Sequence, residues 1–242
     1  RSGCDWSSDV CSSDLTITLN QMYQSYFSLA KMGIDYLLFR RGPLTMAPSQ
    51  FGIFTKSDKR FDTPNIEFHI QPLSLDSFGK PLHKFPGLTV SVCNLRPLSR
   101  GTVSLSSSNP FDKPKIAPNY LSDYEDQQVA VESILKAREL MATNEMAVFE
   151  PEEFLPGKNF IKPEELVQEA GKISTTIFHP VGTAKMGSYD DPMAVVNEQL
   201  KVRGFKNLRV VDGSVMPVIT SGNTHTPIVM IAEKASEMIL ND

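Results

Sequence analysis

The sequence has no apolar run approaching the ~18 residues that a membrane-spanning helix requires. It also lacks a basic stripe. Its 24 Lys and Arg stand against 28 Asp and Glu, for a formal charge of −4, which argues against a nucleic-acid partner. Histidine is scarce, with four in 242 residues, and cysteine scarcer still, with three. No second His, Cys or carboxylate stands at ligand spacing near His179, so no metal site is predicted there. G-x-S-x-G, G-x-G-x-x-G, a Walker loop and C-x-x-C do not occur. Their absence leaves Ser214 in "DGSVMP" a poor nucleophile candidate and gives phosphates no glycine-rich cradle.

What is present is ordinary for a folded chain: 40% hydrophobic and 21% charged residues. Seventeen prolines against fourteen glycines predict short elements joined by many turns, not a helical bundle. The opening "RSGCDWSSDVCSSD" has no period, holds Cys4, Cys11 and the only Trp, and resembles a translated sequencing adaptor joined to a gene fragment. Residues 1–15 are therefore expected to be disordered and outside the fold, with the true start of the protein elsewhere. That leaves Cys93, in the apolar run "LTVSVCNL", as a buried structural cysteine. Cysteine usage reads as redox-neutral, and a cytoplasmic location is the expectation.

Along the chain, Met22, Tyr26, Leu29, Ala30, Ile34 and Leu37 recur near helical spacing and predict one or two helices, followed by a loop at "RRGPLTMAPSQ". From 65 to 118 the period changes. "IEFHIQ" alternates Ile66, Phe68 and Ile70 with Glu67, His69 and Gln71, and "LTVSVCNL" and "GTVSLSS" follow, predicting an antiparallel sheet. Ser122 and Glu125 form a capping box that opens a helix to about Thr143. Val129, Ala130, Ile134, Ala137, Leu140 and Met141 form its inner stripe, and Glu132 pairs with Lys136. Pro163 begins a shorter helix. "NLRVVDGSVMP" reads as a strand and turn, and "PIVMIAEKASEMIL" as a helix capped by Thr226, with Ile228, Ile231, Ala232, Ala235, Met238 and Ile239 inward.

Two stretches can carry chemistry. One is "FHPVGTAKMG", residues 178–187. Here His179 is either a strand-end histidine bonded to a carbonyl or a general base, imidazole being the side chain whose ordinary pKa lies closest to neutral. The other is "SGNTHTP", residues 221–227, where Asn223, Thr224 and His225 precede a helix. A helix start presents unpaired N–H groups and partial positive charge, so this is either simple capping or a ligand site. Asp190 and Asp191 read as solvated turn residues.

The block from "FHPVGTAKMG" through "VVDGSVMPVITSGNTHTPIVMIAEKASEMI", residues 178–239, resembles the glucose–methanol–choline (GMC) oxidoreductases. "RRGPLTMAPSQ" and "LTVSVCNLRPLSRGTVSLSSSNPFDKPKIAPNYL" are similar to its choline-dehydrogenase-like members. The resemblance implies an α+β or α/β fold. Residues 16–175 would form mainly the substrate-binding domain, an antiparallel sheet flanked by helices. Residues 176–242 would be the C-terminal segment of an FAD-binding domain whose N-terminal Rossmann portion is missing.

It also implies roles. His179 matches the catalytic histidine and Asn223 the second catalytic position. Asp212 and Gly213 match a stretch along the FAD chain, and Asn223, Thr224 and His225 would lie near the flavin. His69 matches a substrate-facing strand position. The implied cofactor is FAD, the substrate a small alcohol, and the electron acceptor oxygen or a quinone; an oligomer is compatible. A hydroxynitrile lyase and a non-catalytic member of the same fold are the alternatives. One departure is "SGNTHTP" where the family usually has "SGNTNAP", with His225 in place of an asparagine.

Overall fold

The computed structural model describes residues 5–12, 18–47, 49–77 and 79–242, with 5–12 as backbone. In chain order the elements begin with β1 (Asp5–Ser12), α1 (Leu19–Gln24), α2 (Tyr26–Phe39), β2 (Phe51–Thr55), β3 (Ile66–Gln71) and β4 (Gly87–Asn94). There follow β5 (Thr102–Ser104), β6 (Lys115–Ala117), α3 (Tyr124–Met141), α4 (Asn144–Ala147), β7 (Glu152–Leu155), α5 (Pro163–Ile173) and α6 (His225–Leu240). They divide into two compact units, one of Asp5–Asn94 with Gln128–Thr175 and the other of Leu95–Gln127 with Thr176–Asp242.

The first unit holds a five-stranded sheet in the order β2-β3-β4-β1-β7, with every neighbour antiparallel. Period-2 alternation places Ile66, Phe68, Val90 and Val92 on one face, all at most 2% exposed. Each such burial contributes about 1.5–3 kcal/mol. The opposite face is also covered, since Glu67 is 5% and Cys93 4% exposed. The polar half of "IEFHIQ" is therefore not a solvated face, although alternation alone suggested one. Cys93 is buried, as its apolar setting predicted.

Several elements differ from expectation. Residues 5–12, expected to be disordered, run as β1 between β4 and β7. Ladder bonds use backbone groups, so an open strand edge accepts an extended segment of almost any composition. β5 does not extend the large sheet; it pairs with β6 as a separate two-stranded ribbon, because Pro97 and the turn after β4 redirect the chain. β2 was missed, its Gly52 and short length masking the alternation. Within α2 only Met32 is buried, while Tyr26, Ile34 and Leu37 are exposed.

α3 buries Val129, Ala130, Ile134, Ala137 and Met141 as its period dictated, with Leu140 half-buried. Its cap is different. Asp123 Oδ1 accepts from Glu125 N at 2.9 Å, a shorter reach than Ser122 offers. Glu132 takes Ser57 Oγ at 2.7 Å and the Arg60 guanidinium instead of Lys136, because guanidinium and hydroxyl hold a carboxylate better than one exposed ammonium. Lys136 bonds Glu139. α5 begins at Pro163 as expected, with Leu166 and Ala170 buried.

In the second unit, "NLRVVDGSVMP" forms isolated bridges and a 3-10 turn at Gly213–Val215, not a strand. Val196, Leu200, Val215 and Ala235 make its buried cluster, with Met186, Val202, Val210, Val211 and Ile231 packed around it. α6 starts earlier than expected: its N-cap is Thr224, and His225 is its first residue. The Thr224 carbonyl accepts from Ile228 N at 3.0 Å, which starts the helix two residues ahead of the expected position. Of the six residues expected to face inward, Ala232 and Ile239 are exposed. No helix among the described residues is long and apolar enough to cross a membrane.

Candidate functional site

The loop carrying His179 is set by its neighbours. Phe178 takes φ 65°, uncommon for a residue with a Cβ, and its N–H donates to Thr176 Oγ1 at 3.0 Å. This sharp turn delivers a half-buried His179, and then Val181, which is 2% exposed. Gly182 at φ 83° reverses the chain again. Ala184 N then donates to Ser214 O at 3.0 Å and Met186 N to Val215 O at 2.8 Å. These two bonds lay the histidine loop along the 213–215 turn.

The turn itself is fastened by Asp212, whose Oδ1 accepts from Ser214 N at 2.8 Å and also from Ser214 Oγ. Asp212 remains exposed. Gly213 is buried. A Cβ placed on it would stand 3.1 Å from Ile228 Cδ1 and 3.8 Å from Val181 Cγ1. The glycine is thus where the residue two beyond His179 meets the first turn of α6. Asn223 and His225 are exposed, and Thr224 between them is 4% exposed. Of the site residues expected in this unit, His179, Asp212, Gly213, Asn223, Thr224 and His225 therefore stand on three segments that share Gly213 as their junction.

The seventh, His69, belongs to the sheet unit. Its backbone carbonyl accepts from Ser91 Oγ at 3.2 Å, and Nε2 lies 3.5 Å from Glu67 Oε1. Glu67 was missed because alternation reads a glutamate in a strand as solvent-facing. Thr220 Oγ1 was missed too. This hydroxyl is buried without a hydrogen-bond partner, just ahead of the "SGNTHTP" segment, and nothing in the local sequence signals it.

The turn after the histidine loop is an ionic knot. Lys185 Nζ donates to Asp191 Oδ2 at 2.6 Å, Asp191 Oδ1 accepts from Met193 N at 2.9 Å, and Arg203 donates to the carbonyls of Gly187, Ser188 and Asp191. The Lys185 hydrogen bond, then the Met193 N–H, hold the Asp191 carboxyl below its ordinary value. Asp191 is not the solvated turn residue that "SYDDP" suggested; Asp190 is exposed.

A Ser–His–Asp arrangement also occurs, at Ser74, His83 and Asp76. His83 Nδ1 lies 3.0 Å from Ser74 Oγ, and Nε2 lies 2.9 Å from Asp76 Oδ1. It is structural. Ser74 is fully buried, its Oγ accepts from Asn20 Nδ2 at 2.8 Å, and a Cβ on Gly87 would stand 2.3 Å from that oxygen. No room remains for a substrate carbonyl. The depression lined by Gln199, Arg209, Lys234, Glu237 and Asp242 lies at the far end of α6, about 20 Å from Asn223 at 1.5 Å per helical residue.

These features, a sheet unit and a second unit that gathers a histidine loop, a glycine turn and a helix start, define a class that the comparisons identify. The family model described as GMC oxidoreductase matches residues 97–232. The chain is 42% identical over 206 residues to the alcohol dehydrogenase [acceptor] of Pseudomonas putida, spanning 85% of this chain and 37% of that protein. It is 39% identical over 225 residues to the oxygen-dependent choline dehydrogenase of Vibrio vulnificus (strain YJ016), spanning 93% and 40%. The chain belongs to the GMC oxidoreductase family.

Among solved structures, a formate oxidase from Aspergillus oryzae RIB40 superposes with a TM-score of 0.86 at 22% identity, over 98% of this chain and 46% of that one. An FAD-dependent oxidoreductase from Chaetomium thermophilum gives 0.83 at 20%, over 99% and 47%. These two show the shared fold. The chain spans about two fifths of the length of the curated relatives it matches.

Proposed function

We propose that this chain is the part of an FAD-dependent oxidoreductase that handles the substrate proton while an alcohol CH–OH is oxidised to an aldehyde or ketone. The observation that carries the reading is the junction at Gly213, which Val181 of the His179 loop and Ile228 of α6 both approach. The residues present fit the ring of a flavin. His225 and Thr226 offer first-turn N–H groups, the Asn223 carboxamide is exposed beside them, and the Thr220 hydroxyl is an unpaired donor nearby. Asp212 and Gly213 would lie along the cofactor chain.

FAD, when bound, supplies the hydride acceptor. The rest is done by side chains. His179 takes the hydroxyl proton, since a carbon–hydrogen bond next to an alkoxide yields hydride more readily than one next to a neutral alcohol. Asn223 donates its amide N–H to the alkoxide oxygen without competing for the proton. The positive end of α6 stabilises negative charge that develops against it, at no cost in reorganisation. Within the sheet unit, His69 keeps the substrate-facing role that the family resemblance implies. The substrate class is a small alcohol, and the acceptor that restores the enzyme is oxygen or a quinone.

The test is His179→Ala in the full-length, flavin-loaded enzyme. Turnover falls by about 10²–10⁴-fold while flavin content is retained. Unchanged turnover removes His179 from the role.

A further inference from the structure

We propose that the outward face of α2 is a docking surface for an anionic lipid bilayer, with the helix lying in the plane of the membrane and not crossing it. The helix is apolar on the side that its own fold does not use. Met32 is its one buried residue. Tyr26, Phe27, Ala30, Ile34, Leu37 and Leu38 are all exposed, Tyr26 at 91% and Leu37 and Leu38 at 70% each. At about 3.6 residues per turn these six fall within a single arc of about 120°, centred opposite Met32. A surface helix ordinarily turns such an arc inward. Contiguous apolar surface left in water marks a place where something docks.

The ends and the charge of the helix select lipid as the occupant. Tyr26 opens the helix, and Phe39, Arg40 and Arg41 stand at its close. The Arg40 guanidinium lies 5.1 Å from the centre of the Tyr36 ring, and that of Arg41 lies 4.6 Å from the centre of the Phe39 ring. Aromatic rings and long cationic side chains take this place at a bilayer boundary, their apolar parts in the acyl layer and their charge among the headgroups. Residues 26–46 carry Lys31, Arg40 and Arg41 against Asp35 alone, in a chain of formal charge −4, and Arg41 lies 3.7 Å from that carboxylate. A second copy of the chain would bring the same positive excess to the contact, whereas anionic headgroups complement it. The length agrees: fourteen residues span about 21 Å, short of the ~30 Å hydrocarbon core. The turn at Pro43–Thr45 lies against α2 and adds the exposed Leu44.

The experiment sediments the full-length, flavin-loaded enzyme with vesicles of phosphatidylcholine alone, or of phosphatidylcholine and phosphatidylglycerol in equal parts. The wild type is expected to bind the anionic vesicles about tenfold more tightly than the neutral ones, or better. Ile34→Gln combined with Leu37→Gln should weaken that binding by about tenfold or more. Arg40→Gln combined with Arg41→Gln should weaken it by a similar factor, a difference that vanishes at high salt. Absence of sedimentation with anionic vesicles, or undiminished binding by the apolar double variant, overturns the proposal. So does a dimer in gel filtration that the same double variant dissolves, which would make a second copy the occupant. Leu240→Gln, exposed at the far end of α6, is the control. A loss there as large as that from α2 would mean general adhesion and also overturns the proposal. The readout involves neither flavin nor turnover, so its failure is separate from that of the proposed oxidation.

Discussion

Ile228 Cδ1 stands 3.1 Å from the position that a Cβ on Gly213 would occupy, with Val181 Cγ1 behind it at 3.8 Å. One alanine methyl leaves Ile228 room to yield by a few tenths of an ångström. Two γ-carbons do not. Gly213→Val is therefore expected to destabilise the chain by about 1–3 kcal/mol through overpacking, lowering the thermal midpoint by about 2–4 °C per kcal/mol. Combining it with Ile228→Ala should recover part of the loss. A double-mutant cycle that proves additive would show that the two side chains do not meet.

Arg138 presents a second packed contact, in the sheet unit. Its Nε and Nη2 donate to the two carboxylate oxygens of Glu153 at 2.9 and 2.8 Å, and Nη1 reaches Phe160 O at 3.0 Å. Glu153 Oε1 also accepts from Gly157 N. Arg138→Ala leaves the half-buried Glu153 carboxylate and the carbonyls of Gly157 and Phe160 short of a donor, at an expected cost of about 1–3 kcal/mol. Arg138→Lys should recover little, because a single ammonium cannot match a planar fork. Denaturant midpoints of the two variants within error of wild type would exclude the role.

These contacts also mark how far the sequence could be read. Helices whose apolar residues recur without interruption were legible, as in α3, where Ile134 and Ala137 bury on schedule, and α5, where Pro163 fixes the start. The alternation in "IEFHIQ" correctly gave β3, but it could not reveal that both faces are covered, since Glu67 burial depends on what lies above the sheet. β1 was illegible for the converse reason: its place comes from the open edges of β4 and β7, not from its own residues. At the candidate site, His179 and Asn223 were visible as residue types beside helix and turn signals. The Gly213 junction and the Lys185–Asp191–Arg203 knot depend on residues far apart in sequence, and no local spacing encodes them.

The Asp191 knot predicts a pH dependence. Lys185 and the Met193 N–H stabilise the ionised carboxyl, so its folded-state value lies below the unfolded one. Stability from this group is present above the unfolded value, near pH ~3.9, and is lost as pH falls through the folded value. Asp191→Asn keeps an acceptor for Met193 N but removes the charge. Its midpoint should lie below wild type near neutrality, with the gap closing on acidification below about pH 4. A gap that stays constant down to the acid limit would rule out the charge as the source. Gly187→Ala tests the same turn from another side, since its Cβ would stand 2.8 Å from Ala194 Cβ and 2.9 Å from Asp191 Oδ2, and it should loosen the knot at all pH values.

The 242-residue chain by itself is expected to purify without stoichiometric flavin. What it offers a cofactor is one end of a site: the α6 N–H groups, the Asn223 carboxamide and the 212–213 turn. These can meet a ring edge and a short length of chain. A dinucleotide also needs its pyrophosphate held, usually by a glycine-rich turn at a helix start, and no G-x-G-x-x-G occurs in the sequence. The matched region is 37–40% of the curated relatives, which leaves most of their length to supply that surface. Absorbance of the purified chain in the visible flavin band is the measurement, before and after incubation with FAD. One flavin per chain, surviving gel filtration, would mean that the C-terminal residues hold the cofactor unaided. The glycine loop would then be dispensable, and the α6 start would be a far stronger binding site than its exposed residues indicate.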